Sequence, residues 1–284
     1  MPHRRTPPPS LTRMSVFDHL TWRGDHFDLG GRTFRLQHQA AQQTADDAFM
    51  FYKDRGQLEQ FDRFLTETGF APKRVLELGI WDGGSVVFWT EVLDLERYAA
   101  IDLQRRGDSE YFTAWQRERG GGRVSTHWGV SQTDGGQLAR IIAEHDLDPL
   151  DWVIDDCSHQ YAPTRESFEL LFPLLRPGGW YVIEDWAWDL QDSFQDKRHP
   201  WGVHPPLHPL VLDIARVNPS RPDLVPSLRI YPDFVAIERG PGDAQGFTLS
   251  GSIARRPRPW GKIAYLEARH TAGRARRLAR RARH

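Results

Sequence analysis

Two apolar runs in this chain end in carboxylates. "VIDDCSH" (153–159) sets Asp155 and Asp156 directly after Val153 and Ile154, with His159 three positions beyond the second acid, and "YVIED" (181–185) closes the same way in Glu184 and Asp185. Runs of this kind suit strands of a parallel sheet, whose carboxyl ends converge on one crevice. Four carboxylates gathered there are costly unless a cation compensates them. A hard, oxygen-seeking ion such as Mg²⁺ fits such a set. Zinc fits less well, because Cys157 and His159 alone make no tetrahedral site. His159 has the chemistry of a general base for a hydroxyl proton beside the ion. The competing reading is a loop histidine above a solvated acidic rim, and two acidic strand ends in one domain favour the metal over it. Cys157 reads as a small packing residue.

A second constellation precedes this one. In "VLELGIWDGGS" (75–85) Glu77 falls near the end of a short apolar run, and Gly79, Gly83 and Gly84 fill the turn before a helix that opens at Ser85. Glycines there let backbone approach a ligand closely, and the helix start offers unpaired amides. Ile80 and Trp81 break the G-x-G-x-x-G pattern, so a dinucleotide is poorly matched. Asp102 ends the next apolar run, where an acid meets ribose hydroxyls. An adenosine-containing ligand without a pyrophosphate satisfies both features, and S-adenosylmethionine has that character. Gln132, Thr133 and Asp134 stand at the same sheet edge, as adenine neighbours or as helix caps.

The elements that must position these residues alternate. Strands are expected at 74–78, 97–103, 123–129, 150–156 and 180–185, with helices between them near 85–95, 108–118, 135–145 and 162–175. "LRIYPDFVAIER" (228–239) reads as a tight antiparallel pair. The expected fold is α/β: a Rossmann-like, mostly parallel seven-stranded sheet with a late antiparallel hairpin and helices on both faces. Residues 1–36 read as a loose leader and a small arm, 37–240 as the main domain with two helices across 38–68, and 241–284 as an extension in which 249–253 adds an edge element and 262–283 a basic helix. The aromatic connection 186–209 is long enough to be a lid or binding segment. In it Trp186, Trp188, Phe194 and Trp201 are candidate acceptor covers, and His199, His204 and His208 are candidate acceptor contacts.

Composition narrows the class further. With 39% hydrophobic and 26% charged residues the chain is globular rather than disordered. The net charge is −1, yet 269–284 holds seven arginines and no acid, leaving 30 basic against 38 acidic residues in the rest. An acidic body disfavours nucleic acid as partner, although the terminal basic block keeps a nucleic-acid-directed enzyme among the alternatives. One cysteine forms no internal disulfide and no run of eighteen apolar residues occurs, so a membrane is not expected and the cytoplasm is the default location.

With "VLELGIWDGGS", "AAIDL", "VIDDCSH", "LFPLLRPGGWYVIEDW" and the late hairpin, the chain resembles the class I S-adenosylmethionine-dependent methyltransferases. It is most similar to the metal-dependent sugar O-methyltransferases of antibiotic pathways. The resemblance implies that Asp156, Glu184 and Asp185 hold Mg²⁺, that His159 is the general base, and that Glu77, Gly79, Ser85 and Asp102 surround the methyl donor. Gly83, Gln132 and Asp155 complete the expected donor side. The acceptor implied is a small molecule with vicinal hydroxyls, such as a sugar moiety or a catechol, and a homo-oligomer is expected. A related hydroxylase-like metal enzyme shares the acidic strand ends and stands as the other alternative.

Overall fold

The computed structural model describes residues 20–36, 47–194 and 204–253, with isolated positions at 15, 17, 202, 265, 268, 269 and 271. Most of the expected leader, residues 38–46 of the span expected to hold two helices, His199, Trp201 and most of the basic tail lie outside the described residues.

The N-terminal segment builds a sheet of its own. Strands β1 (Thr21–Arg23), β2 (His26–Leu29), β3 (Arg32–Leu36) and β4 (Phe49–Phe51) lie in that order, antiparallel until β4 joins β3 in parallel. The helical expectation fails at 49–51, because "FMF" is an unbroken apolar run that pairs in register with β3, Phe34 opposite Phe49. Helix α1 (Arg55–Thr68) follows, opened by the Asp54 carboxylate, which accepts from Gln57 N, and closed by Gly69 in the left-handed region.

The main sheet has β5 (Arg74–Leu78), β6 (Arg97–Asp102), β7 (Val124–Trp128), β8 (Leu150–Asp155), β9 (Leu175–Glu184), β10 (Leu228–Ile230) and β11 (Phe234–Glu238). Their order is β10-β11-β9-β8-β5-β6-β7, parallel from β9 to β7, with the β10–β11 hairpin antiparallel at one edge. The chain runs outward from β5 to β7 and then crosses to β8 on the other side of β5. That reversal creates the crevice where ligands bind in such sheets. β9 starts earlier than expected, running through Pro177–Gly178–Gly179. Gly179 admits this because its Cα packs so close to Asp151 O that a Cβ there would come within 2.8 Å.

Period two sorts the apolar strands into two cores. Val75, Tyr98, Trp152, Val182 and Phe234 face one side, with α1, α2 (Gly84–Val92), α3 (Glu110–Trp115) and the N-terminal phenylalanines. Leu76, Ala99, Val153, Tyr181 and Val235 face the other, with α4 (Gly135–Glu144), α5 (Tyr161–Leu171) and α6 (His208–Ser220). The expected edge element at 249–253 is instead a short helix, α7 (Leu249–Ser252), capped by Thr248. The small sheet is therefore more than an arm over the surface. Phe27 stacks on Phe34 at 4.9 Å between ring centroids, and both rings meet Phe88 of α2 edge-on. Among the described residues no helix is long and apolar enough to cross a membrane.

Phe34 is fully buried and touches Phe27, Phe49, Phe51 and Phe88. Phe34→Ala is expected to cost about 3–5 kcal/mol in urea unfolding, in line with emptied aromatic sites. A loss below about 1 kcal/mol would show that the small sheet unfolds apart from the main core.

Candidate active site

Close backbone packing shapes the donor side. Gly79 follows β5 with φ +110°, and a Cβ on it would come within 2.1 Å of Asp156 O at the end of β8. A Cβ on Gly84 would meet Met50 O at 2.2 Å, so that glycine brings β4 against the start of α2. Asp102 ties the turn down: its Oδ2 accepts from Ile80 N (3.1 Å) and Trp81 N (3.0 Å), and its Oδ1 from Gln104 N (2.8 Å). Glu77 is fully buried beneath the turn, accepting from Ser85 Oγ at 2.5 Å and Tyr98 OH at 2.8 Å. Burial pushes its carboxyl up to about 7, against the pull of Lys53 and those two hydroxyls.

On the other side of the cavity, Asp156, His159 and Asp185 each bring a potential ligand atom within 4.8 Å of the others. His159 Nε2 lies 3.9 Å from Asp156 Oδ1. His159 and Asp185 both hold φ near +51°, a costly conformation for residues with a Cβ, and Trp81 shares it. Neighbours pin the strained residues in place. Trp188 Nε1 donates to His159 O at 2.9 Å, and Asp185 N donates to Asp233 O at 2.8 Å. Burial opposes the charge on Asp156, but Lys53 and His159 outweigh it and hold the carboxyl below its usual value. Burial raises Asp185, only partly offset by His159.

Lys53, one residue past Tyr52 at the end of the small sheet, was not singled out from the sequence. Its side chain is 2% exposed and its ammonium donates to Glu184 Oε2 at 2.5 Å and Asp156 Oδ2 at 2.9 Å. Burial works against its charge, and the carboxylates of Asp156 and Glu184 more than restore it, holding its pKa above the usual lysine value. Gln57 Nε2 adds a second donor to Glu184 Oε2 at 2.6 Å. A signal was present: lysine occurs four times in the chain against thirty-three arginines, and this one directly follows the apolar "FMFY".

A cavity of about 940 Å³ joins the two sides. Of the sequence-predicted residues, Gly79, Ser85, Asp102, Gln132, Asp156, His159 and Asp185 line it. Glu77, Glu184 and Asp155 stand behind its wall, each at most 2% exposed. Asp155 Oδ2 accepts from Tyr181 OH and Ser167 Oγ, both at 2.7 Å, on the α5 side, and its Oδ1 accepts from Cys157 Sγ at 3.3 Å and Gln132 Nε2 at 3.5 Å, two residues of the cavity wall. Gly83 packs under the Phe112 ring and lines a smaller neighbouring cleft. Tyr52, Trp81, Leu103 and Phe194 supply apolar wall. Trp188 is buried as a brace for His159, Trp186 Nε1 is held by Tyr231 O, and His208 pairs with Asp189, so these three have structural partners.

The residues fit a hard cation. Asp156 and Asp185 present oxygens beside a single imidazole, and Glu184 Oε1 is sealed from solvent without a hydrogen-bond partner. They also fit an adenosine-bearing donor, since Asp102 faces the same cavity as the glycine turn.

Comparison with known proteins finds relatives of the sequence and of the fold. Residues 76–186 match a family described as "Methyltransferase domain". The chain is 36% identical over 132 residues to demethylmacrocin O-methyltransferase of Streptomyces fradiae, covering 44% of this chain and 30% of that protein. It is 30% identical over 206 residues to mycinamicin VI 2''-O-methyltransferase of Micromonospora griseorubida, covering 66% of this chain and 48% of that protein. The fold resembles that of MycE methyltransferase from the mycinamycin biosynthetic pathway, solved in complex with Mg, SAH and mycinamycin VI. That match has a TM-score of 0.50 and 26% identity, over 67% of this chain and 51% of the other. The chain spans about half or less of the length of these relatives.

Glu77 makes stability depend on pH. Its folded value near 7 exceeds the ordinary 4.5, so its contribution is full below pH 4.5 and is lost as pH rises through 7. Glu77→Gln is therefore expected to gain Tm relative to the unmodified protein as pH is raised from 4.5 to 7.5. Parallel Tm curves for the two proteins would contradict the assignment.

Proposed function

We propose that this chain, whose residues 76–186 match a methyltransferase-domain family, is an S-adenosylmethionine- and Mg²⁺-dependent O-methyltransferase of class I. Its acceptor would be a sugar hydroxyl, or the hydroxyl of a similar diol-bearing natural product. One observation carries this reading: the acidic cluster of Asp156, His159 and Asp185 opens into the same cavity as Asp102 and the glycine turn. The curated relatives are O-methyltransferases, one of them acting on mycinamicin VI, and the related MycE structure contains Mg and SAH.

Each part of the reaction has a group suited to it. Asp102 would meet the donor's ribose hydroxyls, with Ser85 and Gln132 lining the same cavity. Asp156 and Asp185 would hold the ion, which lowers the pKa of a chelated hydroxyl. His159 accepts the hydroxyl proton, and the new O–CH₃ bond forms as the sulfonium S–CH₃ bond breaks. The cationic donor thereby becomes a neutral thioether. Vicinal hydroxyls would suit such a site, because two neighbouring oxygens could bind a cation held by Asp156 and Asp185. Tyr52, Trp81, Leu103 and Phe194 give the cavity an apolar wall suited to the body of a glycosylated acceptor.

Calorimetric titration of S-adenosylmethionine into EDTA-treated protein, repeated with Mg²⁺ and a panel of deoxysugar glycosides, tests the assignment. Donor binding and Mg²⁺-dependent acceptor binding are expected. A folded protein that binds no donor would overturn the proposal. His159→Asn is expected to lower kcat by about 10²–10⁴-fold, the usual weight of a general base, while leaving donor Kd within about threefold. An unchanged kcat would assign proton removal to another group.

A further inference from the structure

Behind the cavity wall lies a closed set of polar groups that the reaction above does not use. Asp155 is 2% exposed, Ser167 and Tyr181 are fully buried, and Gln132 reaches the wall with 8% of its surface exposed. Asp155 Oδ2 takes the hydroxyl protons of Tyr181 and Ser167, and Gln132 Nε2 donates to Ser167 Oγ at 3.0 Å and to Asp155 Oδ1 at 3.5 Å. Cys157 Sγ, with one proton, has Gln132 Oε1 at 3.0 Å and Asp155 Oδ1 at 3.3 Å. Proton counting settles which way the Gln132 amide is turned. Asp155 faces four donors and, as a carboxylate, only accepts. Ser167 gives its proton to Asp155 or to Thr164 O, and keeps lone pairs for an incoming N–H in either case. A flipped amide would set Oε1 against Asp155 Oδ1 with no proton between them, which is costly in a buried site. The NH₂ group therefore turns inward. Among the described residues the weak Cys157 S–H is the one donor to Oε1, which keeps a lone pair for a ligand in the cavity that both residues line.

We propose that Asp155 is a positioning residue for the methyl donor: directly and through Ser167 it locks the Gln132 amide with its carbonyl oxygen available to the cavity, as an acceptor for the amino group of the donor's base. The inference rests on the S-adenosylmethionine reading above. Val130 N donates to Asp102 O at 2.9 Å, which sets Gln132 two residues beyond the backbone bonded to the acid proposed for the ribose. The choice of aspartate matters because an asparagine at the same place can turn either end to Gln132, and the amide would then have no single orientation. A fixed acceptor separates two closely related bases. Adenine carries an exocyclic amino group, and hypoxanthine has a carbonyl oxygen on the same ring carbon, which would bring two acceptors together. The first acid of "VIDD" thus acts on the base of the donor, apart from the second, which lies beside His159.

Calorimetric titration of the full chain with S-adenosylhomocysteine and with S-inosylhomocysteine tests this without recourse to turnover. The unmodified protein is expected to prefer the adenosyl compound by at least about 10-fold, the weight of one hydrogen bond exchanged for an unpaired group. Asp155→Asn is expected to bring the two affinities within about threefold of each other, chiefly by weakening the adenosyl compound. A residue that only supports the fold would weaken both ligands alike and leave their ratio unchanged, so the ratio is the readout. Tyr181→Phe removes a donor to Asp155 but keeps its charge, and is expected to retain the preference. If Asp155→Asn does not fold, Ser167→Ala, which removes the bond from Gln132 Nε2, is expected to lower the ratio at least about threefold. Equal binding of the two compounds by the unmodified protein, or a preference that survives in Asp155→Asn or in its Ser167→Ala substitute, would overturn the inference while leaving the donor reading intact. A folded protein that binds neither compound would remove the donor reading and this inference with it.

Discussion

Carboxylates at the end of a parallel sheet must be compensated, and here the first compensation comes from far away in sequence. Lys53 lies between Asp156 and Glu184, with 2% of its side chain exposed, and those partners are 103 and 131 residues further along the chain. Desolvating such ions costs several kcal/mol each unless geometry and extra hydrogen bonds repay it. Gln57 supplies one such bond to Glu184. This gives the small N-terminal sheet its chemical purpose. β4 ends where an ammonium can reach the end of β9, and the phenylalanines of β2, β3 and β4 pack edge-on or tilted against Phe88.

Strand parity then distributes the acids. Val75 and Val182 face the core shared with the N-terminal sheet, so Glu77 and Glu184, two positions later in each strand, face it as well. Both stand within the field of Lys53. Val153 faces the opposite core, and Asp155 follows it toward Tyr181 and Ser167. Asp156, one residue past the strand, leaves the alternation and enters the cavity. Three acids are thus fixed inside the protein by period two, while Asp156, His159 and Asp185, which line the cavity, come after the strand ends. Two of those, His159 and Asp185, carry positive φ, as does Trp81 on the donor side. Such strain persists only where surrounding contacts over-determine it, and the indole of Trp188 on the His159 carbonyl is one of those contacts.

The same parity marks what could be read from the sequence. The alternation of strands with helices, the hairpin at 228–239 and the gathering of Asp102, Asp156, His159 and Asp185 at one sheet edge all follow from local pattern and the convergence of parallel strand ends. Asp155, expected on the donor side, stands behind the cavity wall, with Oδ2 on Tyr181 and Ser167 and Oδ1 toward Gln132 and Cys157. Counting by two from Val153 would have turned it to the α5 face. Strand β4 was hidden because "FMFY" is apolar at every position and carries no period. Lys53 was hidden for a different reason: its partners depend on a tertiary contact between the small sheet and β9, which no window of sequence contains. The tryptophans of 186–188, candidate covers for the acceptor in the sequence, have a structural role that no local pattern announces, since their indole N–H groups are fastened to backbone carbonyls.

In the proposed reaction, alignment between the glycine turn and the acidic cluster would follow from the sheet itself. Asp156 N donates to Leu78 O, at the end of β5, and Gly79 N donates to Ile101 O, at the end of β6, so one ladder of backbone hydrogen bonds runs from the carboxylate to the glycine turn and on to Asp102. The 2.1 Å that would separate a Cβ on Gly79 from Asp156 O shows how little freedom that ladder leaves. Methyl transfer needs donor methyl, acceptor oxygen and base in line, and positional error is costly in rate. A site whose two halves sat on separate loops would have to pay for that alignment at every turnover. Here the two strands at the reversal of the sheet, β5 and β8, are hydrogen-bonded neighbours, and the spacing between donor turn and acidic cluster is set when they pair.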